Sequence, residues 1–199
     1  MVRIMPVEIE IKLKVEEPAL VREKLRALGA QPAGRAMETN SFFDTADRAL
    51  LAADCGLRIR RSRPLEGGDE ILIITYKGPR ADGPVKQREE IEIIVDALEP
   101  ARLLLERLGY QEQLCFEKRR ESWKLGNCEI ELDELPRLGS FVEIEGPSEA
   151  EVTELQQRLS LSSLTPIMPT YADLVARHLN DTKEPLKRLT FEPNEPREI

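Results

Sequence analysis

Several stretches of this chain place ionic side chains on one side of an extended strand and aliphatic ones on the other. Glu8, Glu10 and Lys12 alternate with Ile9, Ile11 and Leu13; Arg58 and Arg60 alternate with Leu57 and Ile59; Thr75 falls with Lys77; Arg88, Glu90 and Glu92 oppose Ile91 and Ile93. Further on, Lys118 falls with Arg120, while Glu129, Glu131 and Asp133 oppose Ile130 and Leu132, and Glu143 and Glu145 oppose Val142 and Ile144. Side chains at i and i+2 share a strand face about 6.6 Å apart. Any one of these strands alone reads as the solvated face of an ordinary antiparallel sheet. Together they pose a harder question. The helices must cover the apolar faces, so the ionic faces either spread over open surface or curl around a common interior. An interior lined by both signs is costly unless the charges neutralise one another or hold a ligand. A polyphosphate carried with a divalent metal uses both signs. Arginine forks and lysine ammoniums grip phosphate oxygens, and carboxylates at i and i+2 converge on a hard cation such as Mg²⁺ or Mn²⁺.

Other chemistries find little support. His178 is the only histidine, which excludes most histidine triads, multi-histidine metal sites and the zinc-protease helix motif. Cys55, Cys115 and Cys128 are odd in number and widely spaced, so they read as ordinary thiols. The glycines are scattered and form no phosphate loop. With 29 Lys and Arg against 37 Asp and Glu, the net charge of −8 argues against duplex DNA as a partner, and Lys187-Arg188 is too short for a nucleic-acid patch. No apolar run approaches the roughly 18 residues of a membrane span, and the first ten residues lack the apolar block of a signal peptide. The expectation is a cytoplasmic protein with neither a nucleic-acid nor a membrane partner.

The elements that must position the ionic groups follow from periodicity. Eight strands are predicted: Glu8 to Val15, Ser41 to Asp44, Leu57 to Arg61, Glu70 to Lys77, Glu89 to Val95, Phe116 to Lys124, Cys128 to Asp133 and Phe141 to Glu145. Helices are predicted over Glu16 to Gly29, after Pro100 to Gly109, over Ser148 to Leu161 and from Pro169 to Leu179. Strand, proline, amphipathic helix and glycine occur twice, from Glu8 and from Glu89, which reads as a pseudo-repeat of one supersecondary unit. At 199 residues the chain fits one domain, residues 1–179, and from Asn180 the apolar pattern fades among Pro185, Pro193 and Pro196, predicting a mobile tail over 180–199.

The ordered motifs resemble the CYTH superfamily, the triphosphate tunnel metalloenzymes, which holds class IV adenylate cyclases, thiamine triphosphatases and inorganic tripolyphosphatases. They are Glu8-Ile9-Glu10-Ile11-Lys12, Leu57-Arg58-Ile59-Arg60, Thr75-Tyr76-Lys77-Gly78-Pro79, Arg88-Glu89-Glu90-Ile91-Glu92, Lys118-Arg119-Arg120, Glu131-Leu132-Asp133, Leu138 through Glu145, and Tyr171-Ala172-Asp173-Leu174. They run over about residues 5–179. The resemblance implies an α+β fold, an eight-stranded antiparallel closed β-barrel forming a tunnel with helices packed outside. It implies Mg²⁺ or Mn²⁺ held by Glu8, Glu10, Glu143 and Glu145, with Asp133 or Glu131 assisting. Arg58, Arg60, Lys77, Arg88, Lys118 and Arg120 become the phosphate grip, and Lys12 a group for proton transfer or leaving-group contact. The catalytic set is then Lys12, Glu10 and Arg60; Glu90 and Glu92 either bind a second metal or orient the arginines.

One departure stands out: Asn40-Ser41-Phe42-Phe43-Asp44 lacks the tyrosine many relatives carry there, so a lysine–tyrosine dyad is in doubt, and alternation turns Tyr76 outward. The motif spacing is most similar to class IV adenylate cyclases, which convert ATP to cyclic AMP and pyrophosphate. The alternatives are a triphosphatase acting on tripolyphosphate, thiamine triphosphate or a nucleotide, and a non-enzymatic polyphosphate or nucleotide binder. Phe42, Phe43 and Trp123 are either core residues or ring-stacking contacts for a base. The partner is a triphosphate-containing small molecule, and the protein a monomer or homodimer.

Overall fold

The computed structural model of the protein describes residues 2–4, 9–79, 89–184 and 187–192. Along the chain run β1 (Val2–Ile4), β2 (Ile9–Val15), α1 (Pro18–Ala27), β3 (Gln31–Asp44), α2 (Ala49–Ala52), β4 (Gly56–Pro64), β5 (Ile71–Lys77), β6 (Glu90–Val95), α3 (Leu98–Arg107), β7 (Gln111–Leu125), β8 (Cys128–Leu135), β9 (Gly139–Gly146), α4 (Glu149–Arg158), α5 (Tyr171–Asp181) and β10 (Arg188–Leu189). Each of the eight predicted strands is present. β3 is far longer than the four residues expected, because its first half shows no strict alternation, with only Ala33, Ala36 and Met37 apolar, and contains Pro32 and Gly34, at a register shift where Gly34 takes φ of 124°. The unexpected α2 is a single turn whose backbone N–H groups at Leu50 and Leu51 donate to the Asp44 carboxylate, 2.9 and 3.0 Å away.

The sheet is antiparallel along the path β1-β6-β5-β4-β3-β7-β8-β9-β2, with β10 added in parallel to β7. The pseudo-repeat predicted from sequence is visible in this order. With β3 and β7 paired at the centre, β4 mirrors β8, β5 mirrors β9 and β6 mirrors β2. The strand–helix–long-strand unit therefore occurs twice, as β2-α1-β3 and β6-α3-β7, each running from an outer strand of one half to the central strand of the other.

Odd and even positions divide the sheet faces. Leu13, Ile130, Leu132, Val142 and Ile144 pack under Val21 and Leu25 of α1 and Val152, Leu155 and Leu159 of α4, forming the main core. Ala101 and Leu105 of α3 cover Phe43 and Ile59 on the same outer face. Helix α5 departs from the expected arrangement of helices outside. It packs on Phe116, Leu135 and Phe141, which share strand faces with Lys118, Asp133 and Glu143, so it lies across one end of the ionic face.

The expected closed barrel is not realised in hydrogen bonds: β1 and β2 are the two sheet edges, and the ladder does not join them. Connectivity nonetheless forces curvature. Nine strands laid flat span about 38 Å at about 4.8 Å per neighbour, whereas Ile4 and Ile9 are separated by at most about 18 Å of extended chain. Burial agrees, since Lys118, Thr75 and Asp133 on the ionic face are 2%, 0% and 1% exposed, beyond what α5 at one end can cover.

The tail expected to be mobile from Asn180 is placed, over 187–192, on the sheet. Leu189 is buried beside α5, Cys115 N donates to Lys187 O at 2.9 Å, and the Phe191 ring lies 4.0 Å from the Arg119 guanidinium. Helix α5 itself continues to Asp181. No helix among the described residues is long and apolar enough to cross a membrane.

Candidate functional site

The antiparallel register brings the ionic positions together on one face. Lys12 stands opposite Glu143, Glu143 opposite Glu131, Asp133 opposite Arg120, and Lys118 opposite Glu38. Across the centre, Asn40 faces Arg60, Arg58 faces Thr75, Thr75 faces Glu92, and Lys77 faces Glu90. Glu10 faces Glu145 at the β2 edge. Because opposite residues share a sheet face, strands far apart in sequence deliver one surface.

Asp133 is the hub. Its carboxylate accepts from Arg120 Nε at 2.7 Å, Arg120 Nη2 at 2.6 Å and Lys118 Nζ at 3.1 Å. Burial alone would raise its pKa, but Arg120 and Lys118 outweigh burial and hold it far below the usual carboxylate range. Arg120 also reaches Glu143 at 2.7 Å and Glu131 at 3.6 Å. Asp133, expected to assist a metal, thus stands in ion pairs with the two phosphate-grip candidates of β7. Lys12 Nζ lies 3.4 Å from Glu143 and donates to Pro169 O at 3.2 Å. Lys77 is ion-paired with Glu90. Thr75 donates to Glu92 at 3.0 Å and accepts from Arg58 Nη2 at 3.1 Å, so both β6 carboxylates contact the grip across β5. Glu8 and Arg88 lie outside the described residues.

Glu38, which sequence reasoning missed, joins the two halves. Its carboxylate is buried 3.3 Å from Arg60 and 3.4 Å from Lys118. Burial pushes its pKa up, yet Arg60, Lys118 and Arg120 bring it down to about 2. Since the folded pKa is depressed, this stability is present above the ordinary value near 4.5 and is lost as pH falls from there through about 2. The melting temperature is therefore expected to hold between pH 7 and 5 and to fall below about pH 4.5, and Glu38→Gln to flatten that acid limb; an equally steep fall in the variant would remove Glu38 from the cause.

Burial weighs against two of the cations even though carboxylates stand near them. Burial, then the charge of Arg60, lowers Arg58 to about 9, only partly offset by Glu38, Glu90 and Glu92. Burial and Arg120 likewise depress Lys118. Asn40 Oδ1 accepts from Arg60 Nε at 3.0 Å, which leaves Nδ2 buried without a partner. Arg58 Nε and the Tyr171 hydroxyl are buried and unpartnered as well. These three groups can donate, the complement of an acceptor-rich ligand, while Glu38 Oε2, an acceptor beside them without a hydrogen bond, is in ion-pair contact with Arg60 and Lys118.

The carboxylates fit a hard divalent cation in chemistry and register. Glu10 stands opposite Glu145, Glu145 opposite Glu129, and Glu143 opposite Glu131, all oxygen donors on adjacent strands. Among the described residues no three such groups already converge on one point. The three ring-stacking candidates are packed. Trp123 is buried under α1 and donates to Glu121 at 2.8 Å, Phe43 is buried under α3, and Phe42 stacks on Phe116 at 5.9 Å. Tyr76 faces outward, as alternation predicted, 3.4 Å from Cys55 Sγ.

A curled antiparallel sheet whose ionic face gathers four buried or half-buried cations among carboxylates defines a class of fold and site. The chain belongs to the CYTH domain family, whose family profile matches residues 6–177. It is 30% identical over 177 residues to a protein of Methanocaldococcus jannaschii named, provisionally, an adenylate cyclase, covering 84% of this chain and 98% of that one. It is 31% identical over 156 residues to adenylate cyclase CyaB of Aeromonas hydrophila, covering 74% and 76%. A solved structure from Pyrococcus horikoshii superimposes with a TM-score of 0.72 at 28% identity, over 86% of this chain and 99% of that one.

Proposed function

We propose that this protein is a divalent-metal-dependent enzyme acting on triphosphates, with the class IV adenylate cyclase reaction, ATP to cyclic AMP and pyrophosphate. The observation that carries the reading is the face shared by Arg58, Arg60, Lys118 and Arg120, where buried donors lack hydrogen-bond partners and burial disfavours the charged forms of Arg58 and Lys118 despite their carboxylate neighbours. A triphosphate supplies both the acceptor oxygens and the negative charge. In this reading the curled sheet wraps around that phosphate chain.

In this reading the four cations and Lys77 hold the triphosphate in line, with Arg88 added from the family pattern. Glu10, Glu143 and Glu145 hold Mg²⁺ or Mn²⁺, with Glu8 added from the family pattern, while Asp133 and Glu38 fix the geometry of Arg120, Lys118 and Arg60. The metal when bound neutralises phosphate charge and favours ionisation of the attacking hydroxyl. The ribose 3′ oxygen bonds to the α-phosphorus as the bond from that phosphorus to the pyrophosphate oxygen breaks. Held arginines keep the two oxygens in line and meet the charge that develops on the departing pyrophosphate. Lys12, beside Glu143, is placed for contact with the leaving group or for proton transfer.

Relatives named adenylate cyclases support the cyclase form. One observation favours a triphosphatase acting on inorganic tripolyphosphate instead: Phe42, Phe43 and Trp123 are packed against protein, so none of the three offers a free ring to a base. Calorimetric titration tests the shared grip. Tripolyphosphate with Mg²⁺ is expected to bind, and Arg60→Ala to weaken binding at least about tenfold, the loss of one hydrogen bond to a charged group. An unchanged dissociation constant removes Arg60 from the grip, and a wild-type protein that binds neither tripolyphosphate nor ATP overturns the reading.

A further inference from the structure

We propose that Tyr171 is a substrate-contacting residue whose hydroxyl donates a hydrogen bond to a phosphoryl oxygen of the bound triphosphate. The inference rests on the triphosphate reading above and adds to it a residue from α5, an element outside the strands that carry the described members of the grip.

Position comes first. Tyr171 opens α5, and its place is fixed by a reciprocal cap: the Thr170 hydroxyl accepts from Asp173 N at 3.2 Å, and Thr170 N donates to the Asp173 carboxylate at 2.9 Å. Its ring meets Phe141 edge to face at 5.4 Å. From there the ring reaches ammonium groups from both sides of the β8–β9 pair. Lys12 Nζ of β2 lies 4.3 Å from the ring centre and Lys118 Nζ of β7 lies 5.1 Å from it. Two cations separated by strands β8 and β9 in the sheet order are therefore seated on one aromatic ring, in cation–π contact. Of the other tyrosines, Tyr76 is on the outer face and Tyr110 packs beside α3.

The hydroxyl is the informative atom. Tyr171 is 8% exposed, and its oxygen closes no well-formed hydrogen bond, the Asp133 carboxylate beside it being already held by Arg120 and Lys118. A buried hydroxyl without a partner carries a desolvation cost that a phenylalanine in the same place would avoid. The ring packing and both lysine contacts need no hydroxyl. The group is also a donor and not a base: burial, then the charges of Asp133 and Glu143, push its ionisation well above the normal value. A neutral donor beside two ammoniums, opposite the unmet donors of Asn40 and Arg58, matches a chain of phosphoryl oxygens.

The test is Tyr171→Phe, which removes only the hydroxyl, assayed by calorimetric titration with tripolyphosphate and Mg²⁺. Binding is expected to weaken about tenfold, with the melting temperature unchanged or raised, a combination that a purely structural role does not produce. A tyrosine ultraviolet difference spectrum on titrating the wild-type protein, lost in Tyr171→Phe, is the second expected sign. Wild-type affinity in the variant, or no tyrosine signal in a wild-type protein that binds tripolyphosphate, overturns the role of Tyr171 and leaves the triphosphate reading intact. No binding by the wild-type protein overturns both.

Discussion

Asp133→Ala is expected to lower folding stability by about 3–5 kcal/mol, the cost of leaving buried charges without their partner. The carboxylate is 1% exposed and receives three hydrogen bonds from Arg120 and Lys118, which are themselves buried or nearly so. Removing it leaves Arg120 with Glu143 and Glu131, and Lys118 with Glu38 alone at 3.4 Å. Lys118, already disfavoured as a cation by burial, loses its shorter ion pair. Asp133→Asn keeps the shape and one acceptor and should lose less. The sign of the pH effect follows the depressed carboxyl: the contribution is complete above the ordinary aspartate value of 3.8 and disappears only as pH falls below it towards the folded value. Urea denaturation at pH 7 checks the claim through the midpoint at unchanged slope. A loss under about 1 kcal/mol, no more than a surface ion pair contributes, contradicts the hub.

Glu10→Gln carries the second large effect. Glutamine retains one carbonyl oxygen but no negative charge, so turnover should fall by roughly 100-fold or more and the Mg²⁺ or Mn²⁺ concentration needed for half-maximal rate should rise. Glu10 and Glu145 face one another across β2 and β9 and are remote in the ladder from Arg58 and Arg60, so tripolyphosphate affinity at saturating metal should change far less than in Arg60→Ala. Rate measured against metal concentration, with a chelator as control, separates these effects. Unaltered turnover with unaltered metal requirement removes Glu10 from the ligand set.

Much of this site was legible because the ionic strands alternate strictly. Ile9 to Leu13, Ile130 to Leu132 and Val142 to Ile144 bury one side, and the period of two then fixes where Lys12, Glu131 and Glu143 must point. Glu38 and Asn40 escaped notice because the face alternating with them, Met37, Thr39 and Ser41, offers only one apolar residue, and the strand begins with Pro32 and Gly34, which read as turn residues. Their signal was weaker but present, in the polar alternation of Glu38 with Asn40 two residues before Phe42. The role of Asp133 depends on register: only the pairing of β7 with β8 puts it against Arg120, and nothing in Glu131-Leu132-Asp133 alone distinguishes a metal ligand from an ion-pair anchor. Tyr171 stands in the closing motif and reads from sequence as either a packed helix residue or a substrate contact; a helix position gives no hint that its ring meets lysines of two separate strands. The short strand β10 is set by two residues of parallel pairing and the burial of Leu189, too brief a pattern to read against three prolines.

Phosphorus NMR on the purified protein with Mg²⁺ or Mn²⁺, given ATP in one tube and tripolyphosphate in another, tests the central claim most directly. The cyclase reading predicts a cyclic phosphodiester resonance together with pyrophosphate from ATP. Orthophosphate from tripolyphosphate with ATP untouched contradicts the cyclase form in favour of a triphosphatase, and unchanged spectra in both tubes contradict an enzyme of triphosphates altogether.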